Sequence, residues 1–182
     1  MPIFVYTSLP NLITLGRLVL VPVIIAMISA QQWKEACFIF ILAGVSDAVD
    51  GWLAKTFDLR TELGAYLDPV ADKALLISIY VALAVEAVVP TPVAIIVVAR
   101  DLMIIGAVVI SWLMHKPMEI RPLWISKLNT AAQIGFAALV LGAKAFQLDL
   151  GAGLSIAIYV VAALTLASLA AYLTAWAQHM SL

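Results

Sequence analysis

Four aspartates lie close together in a sequence that is otherwise almost entirely apolar: Asp47, Asp50, Asp68 and Asp72. The first two are three positions apart and the last two are four apart, and either spacing places both carboxylates of a pair on one face of a helix. Converging carboxylates repel one another, and a hard divalent cation relieves the repulsion because Mg²⁺ and Mn²⁺ prefer oxygen ligands. The pattern therefore predicts a metal site, with enough donors for two ions that would clamp a displacement at phosphorus.

Small residues and a lysine of interest lie between the two pairs. Gly51, Ala54 and Gly64 would let a polyphosphate approach the backbone closely. Lys55 would neutralise a phosphate as a point charge. The alternative for the four aspartates is that they form salt bridges or lie at a wet interface. Ionisable residues within apolar segments are costly and usually functional, which favours the metal site.

The elements that hold these residues must suit a lipid environment. The chain has 182 residues, of which 65% are hydrophobic and only 12% are charged, and its mean hydropathy is +1.11. Soluble domains carry about 25% charged residues, so the composition indicates an integral membrane protein. The length predicts a single domain over residues 1–182. The net charge of -1 argues against a nucleic-acid partner, which would favour a basic surface.

Six apolar segments are long enough to cross a bilayer, for which a helix needs about 20 residues. We therefore predict an all-α protein with six transmembrane helices, at Leu12–Ala30, Trp33–Lys55, Ala65–Val85, Thr91–Leu113, Trp124–Ala145 and Gly151–Ala177. Residues before Leu12 are predicted to form a short N-terminal interfacial segment. Because a short connection joins helices 2 and 3, we expect them to be antiparallel neighbours whose aspartate pairs face each other.

Basic residues are unevenly distributed between the two sides of such a bundle. Those that flank the connections between helices 2 and 3 and between helices 4 and 5 are Lys55, Arg60, Lys73, Lys116, Arg121 and Lys127. The opposite side has little beyond Lys34 and Lys144. By the positive-inside rule, the first set faces the cytoplasm. The aspartates are therefore expected at the cytoplasmic face of the cell (inner) membrane, where nucleotides and free Mg²⁺ are available.

One stretch resembles the signature of the CDP-alcohol phosphotransferase family. It reads DAVDGWLAKTFDLRTELGAYLDPVAD, and it matches every spacing of the family pattern D-x2-D-G-x2-A-R-x8-G-x3-D-x3-D. Lys55 replaces the arginine of that pattern, which keeps the charge and loses the bidentate fork. The family's six-helix plan covers essentially the whole chain. The resemblance implies an enzyme that moves a phosphatidyl-type group from a CDP-linked donor to an alcohol and releases CMP.

The resemblance also implies roles for individual residues. Asp47, Asp50 and Asp68 would be ligands of two divalent cations, Mg²⁺ or Mn²⁺. Asp72 would be both a ligand and the general base that takes a proton from the alcohol. The CDP site would include Gly51, Ala54, Lys55 and Gly64 and, from the N-terminal run PNLITLGR, Asn11 and Arg17. The family is often dimeric, which implies a homodimer within membrane lipid.

The acceptor alcohol is less well specified than the donor. Arg100 in helix 4 and Lys127 at the start of helix 5 are candidate acceptor-binding cations. The alternatives are an ion pair of Arg100 with Asp101 or with a site aspartate, and contact of Lys127 with lipid headgroups.

Two subfamilies resemble different parts of the chain. The runs ARDLMIIGAVV and ISKLNTAAQ are similar to CMP-forming cardiolipin synthases, which use phosphatidylglycerol, whereas PNLIT and LDPVADK are shared with phosphatidylglycerophosphate synthases, which use glycerol 3-phosphate. The few basic residues near the site favour the weakly charged lipid acceptor. We therefore prefer transfer from CDP-diacylglycerol to phosphatidylglycerol, giving cardiolipin and CMP. A divalent-cation transporter would also hold intramembrane carboxylates, but inverted repeats and broken helices would be expected in it.

Overall fold

A computed structural model describes residues 3–56, 62–113 and 124–180, with side chains at 14–49, 51–52, 56, 71–106 and 124–178. Every regular element in these ranges is an α-helix, as predicted. The helices are α1 (Ile3–Ser29), α2 (Trp33–Thr56), α3 (Glu62–Val85), α4 (Thr91–Leu113), α5 (Trp124–Phe146) and α6 (Ala152–Met180). The prediction of six helices is confirmed, and the bounds of α2 to α6 differ from the predicted ones by three residues or fewer.

The first helix is longer than predicted. It begins at Ile3 and continues through Pro10 to Ser29, so the prediction of a separate short segment before Leu12 is wrong. Pro10 removes one backbone hydrogen bond, and the apolar residues on both sides allow the helix to satisfy the other backbone groups internally. A helix of 27 residues is about 40 Å long, which exceeds the roughly 30 Å hydrocarbon core of a bilayer.

The helices pack as a closed ring. Helix α1 packs against α2 and α3, α2 also packs against α5, α5 against α6, α6 against α4, and α4 against α3. Within the described residues, α2 and α3 do not pack directly against each other, so the direct packing expected between them is not found in this part of the chain. The short α2–α3 connection constrains only the helix ends. Helix α1 separates the two because it buries Thr14, Arg17, Ile24 and Ile28, which are spaced along one face.

The described helices expose many large apolar side chains, and their interior holds polar and charged residues beside an apolar core. Large apolar side chains such as Phe38, Val85 and Tyr159 are largely exposed. The buried polar and charged residues are Thr14, Arg17, Arg100, Asp101, Asn129, Gln133, Thr165 and Ser168. In water, large exposed apolar surfaces and buried charges are both unfavourable, so this surface suits hydrocarbon as its solvent.

One stretch of the described residues, Ala152–Gln178 in α6, is long and apolar enough to cross a membrane. Another, Thr14–Ser29 in α1, is apolar but shorter. By length and composition alone, the described part of the chain therefore contains one candidate membrane span.

Candidate active site

A cavity of about 520 Å³ is lined by residues of α1 to α5. On α2 the lining includes Phe40, Gly44 and Asp47, which are spaced three or four residues apart and so share a helix face. On α3 it includes Asp72 and Leu76, which share a face for the same reason. The walls are mainly apolar, and the carboxylates of Asp47 and Asp72 both border this space although the described parts of their helices do not contact each other.

Arg17 of α1 joins these two aspartates. Its side chain is only 1% exposed, and its Nη1 atom donates to Asp47 Oδ1 at 2.9 Å and also to Asp72 Oδ1. The side chains of Asp47 and Asp72 are 48% and 47% exposed. Both carboxylates therefore converge on one buried nitrogen atom and still present part of their oxygen surface to the open space.

The described donors suit a hard divalent cation by their chemistry, because convergent and partly open carboxylate oxygens are the ligands such ions prefer. Asp50 and Asp68 lie in α2 and α3, and their side chains lie outside the described set. Among the side chains that the structure describes, no group of three or more His, Cys, Asp or Glu residues is close enough to hold a metal ion. The site of four aspartates therefore stays a prediction.

Two of the predicted CDP-binding residues can be located. Arg17 lies between the aspartates, as described above, and also lines the cavity. A Cβ atom added to Gly51 would have no described atom within 4 Å, so the α2 backbone is open to close approach there. The side chains of the other positions lie outside the described set: Asn11, Ala54, Lys55 and Gly64.

Arg100 is buried where α4, α5 and α6 meet. Its Nη1 atom donates to Asp101 Oδ1 at 2.5 Å, and its Nη2 atom donates to Ser126 Oγ and to Ser168 Oγ, the latter at 3.0 Å. Its Cζ atom lies 5.8 Å from the centroid of the Tyr172 ring. The ion pair with Asp101, which was one of the alternatives for Arg100, is thus present, and a direct contact of Arg100 with an acceptor stays a prediction.

Lys127 is exposed, and its Nζ atom lies 5.7 Å from the centroid of the Trp124 ring. The cavity is instead lined by Lys73 and Asp101, whose Nζ and Oδ1 atoms are 2.9 Å apart. Sequence reasoning did not assign these two residues to the site. The available signals were that Lys73 directly follows Asp72 and that Asp101 is an acid inside an apolar helix.

Buried amide side chains form a second group that sequence reasoning missed. Gln133 lines the cavity, and its Nε2 atom donates to Thr165 Oγ1 at 3.2 Å. The same hydroxyl donates to Asn129 Oδ1 at 2.9 Å. The Tyr80 hydroxyl donates to the backbone carbonyl of Gln133 at 3.1 Å. Asn129 and Gln133 are four residues apart in ISKLNTAAQ, a spacing that predicts one shared helix face.

The chain is similar to several known proteins. The cardiolipin synthase (CMP-forming) / mitochondrial hydrolase fusion protein of Schizosaccharomyces pombe is 34% identical, over 91% of this chain and 30% of the relative. Human cardiolipin synthase (CMP-forming) is 32% identical, over 77% of this chain and 52% of the relative. The CDP-diacylglycerol–glycerol-3-phosphate 3-phosphatidyltransferase of Sodalis glossinidius is 34% identical, over 94% of this chain and 96% of the relative.

The chain thus spans less than a third of the first relative, about half of the second and nearly all of the third. These relatives are named for two different reactions, so similarity alone leaves the acceptor open. The family model for CDP-alcohol phosphatidyltransferases matches residues 7–177, which include the aspartates and all the residues that line the cavity. This match confirms the resemblance carried by the signature, and the chain belongs to the CDP-alcohol phosphatidyltransferase family.

Proposed function

We propose that the chain transfers a phosphatidyl group from CDP-diacylglycerol to the hydroxyl of phosphatidylglycerol, giving cardiolipin and CMP. One observation carries the proposal. Asp47 and Asp72 are the first and last acids of the family signature. Both contact Arg17 at the wall of a cavity, and the helices around this cavity expose large apolar side chains that suit a lipid environment. Phosphoryl transfer needs charge stabilisation and an oriented hydroxyl, and this site offers groups for both.

The proposed metal ligands are Asp47, Asp50, Asp68 and Asp72, which would hold two Mg²⁺ or Mn²⁺ ions. The convergence of Asp47 and Asp72 and their partial exposure support this assignment. Bound there, the ions would supply neutralisation of the pyrophosphate charge. The proposed CDP site consists of Asn11, Arg17, Gly51, Ala54, Lys55 and Gly64, and the position of Arg17 on the cavity wall supports it.

Asp72 is the proposed general base. Its carboxylate lines the cavity, and Arg17 holds it in one orientation. In the reaction, Asp72 takes the proton of the acceptor hydroxyl, whose oxygen forms a bond to the phosphorus next to the diacylglycerol. The bond from that phosphorus to the bridging oxygen of the pyrophosphate breaks, and CMP leaves with the electron pair.

The charges around the cavity favour a lipid acceptor. Among the described residues that line the cavity, the cations are Arg17 and Lys73, and each has a carboxylate partner, so they balance one phosphodiester charge better than a second dianion. A second candidate is transfer to glycerol 3-phosphate. It is favoured by one observation, namely that the chain covers 96% of a relative named for that reaction.

We further propose that all six helices span the cell membrane and that the site faces the cytoplasm. The largely exposed apolar side chains on the outside of the ring support this arrangement, as does the distribution of basic residues in the sequence.

The acceptor is tested with the purified chain in lipid nanodiscs, supplied with CDP-diacylglycerol and Mg²⁺ or Mn²⁺. Phosphatidylglycerol and glycerol 3-phosphate are offered separately, and CMP and the lipid product are measured. We expect cardiolipin with phosphatidylglycerol and no product with glycerol 3-phosphate. Phosphatidylglycerophosphate as the product would replace the first candidate with the second. Absence of CMP with any alcohol would overturn the enzymatic proposal and favour a cation transporter.

The role of Asp72 is tested with Asp72→Asn, which keeps the shape of the side chain and removes the base. We expect kcat to fall by about 10²–10⁴-fold, the usual contribution of general-base catalysis. Because the substituted amide would still line the donor site, binding of CDP-diacylglycerol in a filtration assay is expected to change much less. A variant with nearly normal turnover would remove the assignment of Asp72 as the base.

A further inference from the structure

Lys73 is a cation of the cavity that the proposed mechanism does not use. It follows Asp72 in α3, lines the same cavity, and has a side chain that is 32% exposed. Its Nζ atom lies 2.9 Å from Oδ1 of Asp101, which is only 2% exposed. An ammonium group has three N–H donors, and the ion pair with Asp101 occupies one of them. Lys73 can therefore keep this ion pair while it binds an anion in the cavity.

Asp101 is itself held in place by Arg100, whose Nη1 atom donates to the same Oδ1 atom. Arg100 is tied in turn to Ser126 on α5 and to Ser168 on α6. A lysine side chain is flexible, and an anchor of this kind reduces the entropy that it loses when it binds a ligand. Arg100 thus acts on the cavity through Asp101, as a positioning residue.

Gln133 contributes a hydrogen-bond acceptor to the cavity wall. The residue is fully buried and lines the cavity, and its Nε2 atom is bonded to Thr165. Its Oε1 atom has no hydrogen-bond partner among the described residues. Buried carbonyl oxygens are seldom left without a donor because their desolvation is costly. A hydroxyl group of a ligand would satisfy this one.

We propose that Lys73 and Gln133 form the acceptor subsite: Lys73 binds the phosphate of a phosphorylated glycerol, and Gln133 accepts a hydrogen bond from a hydroxyl group of that glycerol. The inference rests on the proposed function and deepens it. Both candidate acceptors, phosphatidylglycerol and glycerol 3-phosphate, carry this chemistry. Because Asp72 and Lys73 both line the cavity, one molecule can present a hydroxyl to the base and a phosphate to the ammonium group.

The test measures CMP release by the full chain in nanodiscs with Mg²⁺ or Mn²⁺, for the unmodified protein, Lys73→Gln, Lys73→Arg and Gln133→Leu. Lys34→Gln is the matched control, because Lys34 is exposed at the far end of α2. One series varies phosphatidylglycerol, a second varies glycerol 3-phosphate, and a third varies CDP-diacylglycerol. Thermal unfolding of each variant is recorded in the same nanodiscs.

We expect Lys73→Gln to raise the KM for the acceptor by about tenfold or more, the effect of losing a charge-assisted hydrogen bond. The KM for CDP-diacylglycerol should change less than about twofold, Lys73→Arg should restore part of the acceptor affinity, and Lys34→Gln should behave like the unmodified protein. Gln133→Leu should raise the KM for the same acceptor. The series in which these changes occur identifies the source of the phosphorylated glycerol.

An unchanged acceptor KM in a folded Lys73→Gln variant would overturn the inference, as would an equal rise of the KM for donor and acceptor. If the unmodified protein released no CMP with either acceptor, the proposed function would fail first. The two failures are therefore distinguishable.

Discussion

Arg17 brings a positive charge to the point where two carboxylates would otherwise repel each other. Its guanidinium group is buried, and one nitrogen atom serves both Asp47 and Asp72. An arginine fork suits carboxylates and phosphates equally well. Arg17 can therefore keep the two aspartates together and give up one carboxylate contact for a phosphate oxygen of the donor. The described parts of α2 and α3 do not contact each other directly. The separation of Asp47 and Asp72 therefore depends on their shared contact with Arg17.

Gly51 offers a test of the donor site that separates binding from stability. We expect Gly51→Ala to leave the free energy of unfolding unchanged or to raise it by up to about 1 kcal/mol, because alanine favours helix and the added Cβ has no described atom within 4 Å. The KM for CDP-diacylglycerol should rise by about tenfold, since an extra methyl group where a ligand packs costs about 1–3 kcal/mol. Both quantities are measured in the same detergent.

Gly135→Ala on α5 is the control, since the space beside Gly135 is also open and Gly135 does not line the cavity. It should change neither the donor KM nor the fold. If Gly51→Ala left the donor KM unchanged as well, CDP would have to bind away from this part of α2.

At the scale of helices, polar contacts inside the bundle tie α4 to α5 and α6. Arg100 supplies these contacts by donating to Ser126 on α5 and to Ser168 on α6. Removing a partner from a buried charge is costly because the charge loses a donor or acceptor that lipid cannot replace. The tie lies next to the cavity, since Asp101 also lines it.

Ser168→Ala tests this tie. We expect the free energy of unfolding to fall by about 1.5 kcal/mol, the lower end of the range for a hydrogen bond to a charged group, because Ser126 still accepts from the same Nη2 atom. Reversible unfolding in mixed micelles measures the change. Ser155→Ala, an exposed position on the same helix, should have little effect. Equal effects of both substitutions would mean that the hydrogen bond between Arg100 and Ser168 does not contribute to the free energy of unfolding.

The positions of the helices along the chain could be predicted from hydropathy, because the interrupting residues are polar or are Pro and Gly. Their order around the ring could not. Nothing in the sequence indicates that Arg17 would draw α1 between α2 and α3. Three helices are also followed, within two residues, by a residue at positive φ that is not glycine, so the usual glycine signal for a helix end is missing: Gln31, Ala87 and Gln147.

Some of the site residues could likewise be predicted from the sequence, and others could not. The spacing of Asp47, Asp50, Asp68 and Asp72 was visible because the acids stand out in apolar helices. The contribution of Lys73 depends on a contact with Asp101, which lies on a different helix. Such a pairing is set by helix packing and is absent from local sequence patterns.

At the scale of the whole molecule, the buried ions and the exposed apolar surface have one explanation. In lipid no hydrophobic driving force favours burying hydrocarbon, so close packing and polar contacts hold helices together, and the interior can hold polar groups and a cavity beside its apolar core. The outside then carries side chains such as Phe38, Ile156 and Tyr159. Substrates with acyl chains can reach such a cavity without leaving the bilayer.

The orientation of the helices in the membrane is testable by labelling the two ends of α2. This helix has 24 residues and is about 36 Å long. Cys37 is the only cysteine, and Cys37→Ala gives a background for Thr56→Cys and Gln32→Cys, both at exposed positions. From the distribution of basic residues, we expect a membrane-impermeant maleimide to label Thr56→Cys only in inverted vesicles and Gln32→Cys only in right-side-out vesicles. Vesicles opened with detergent control for reactivity. The reverse pattern would place the aspartates outside the cell, away from cytoplasmic nucleotides and Mg²⁺, and labelling of both positions from one side would contradict a membrane span at α2.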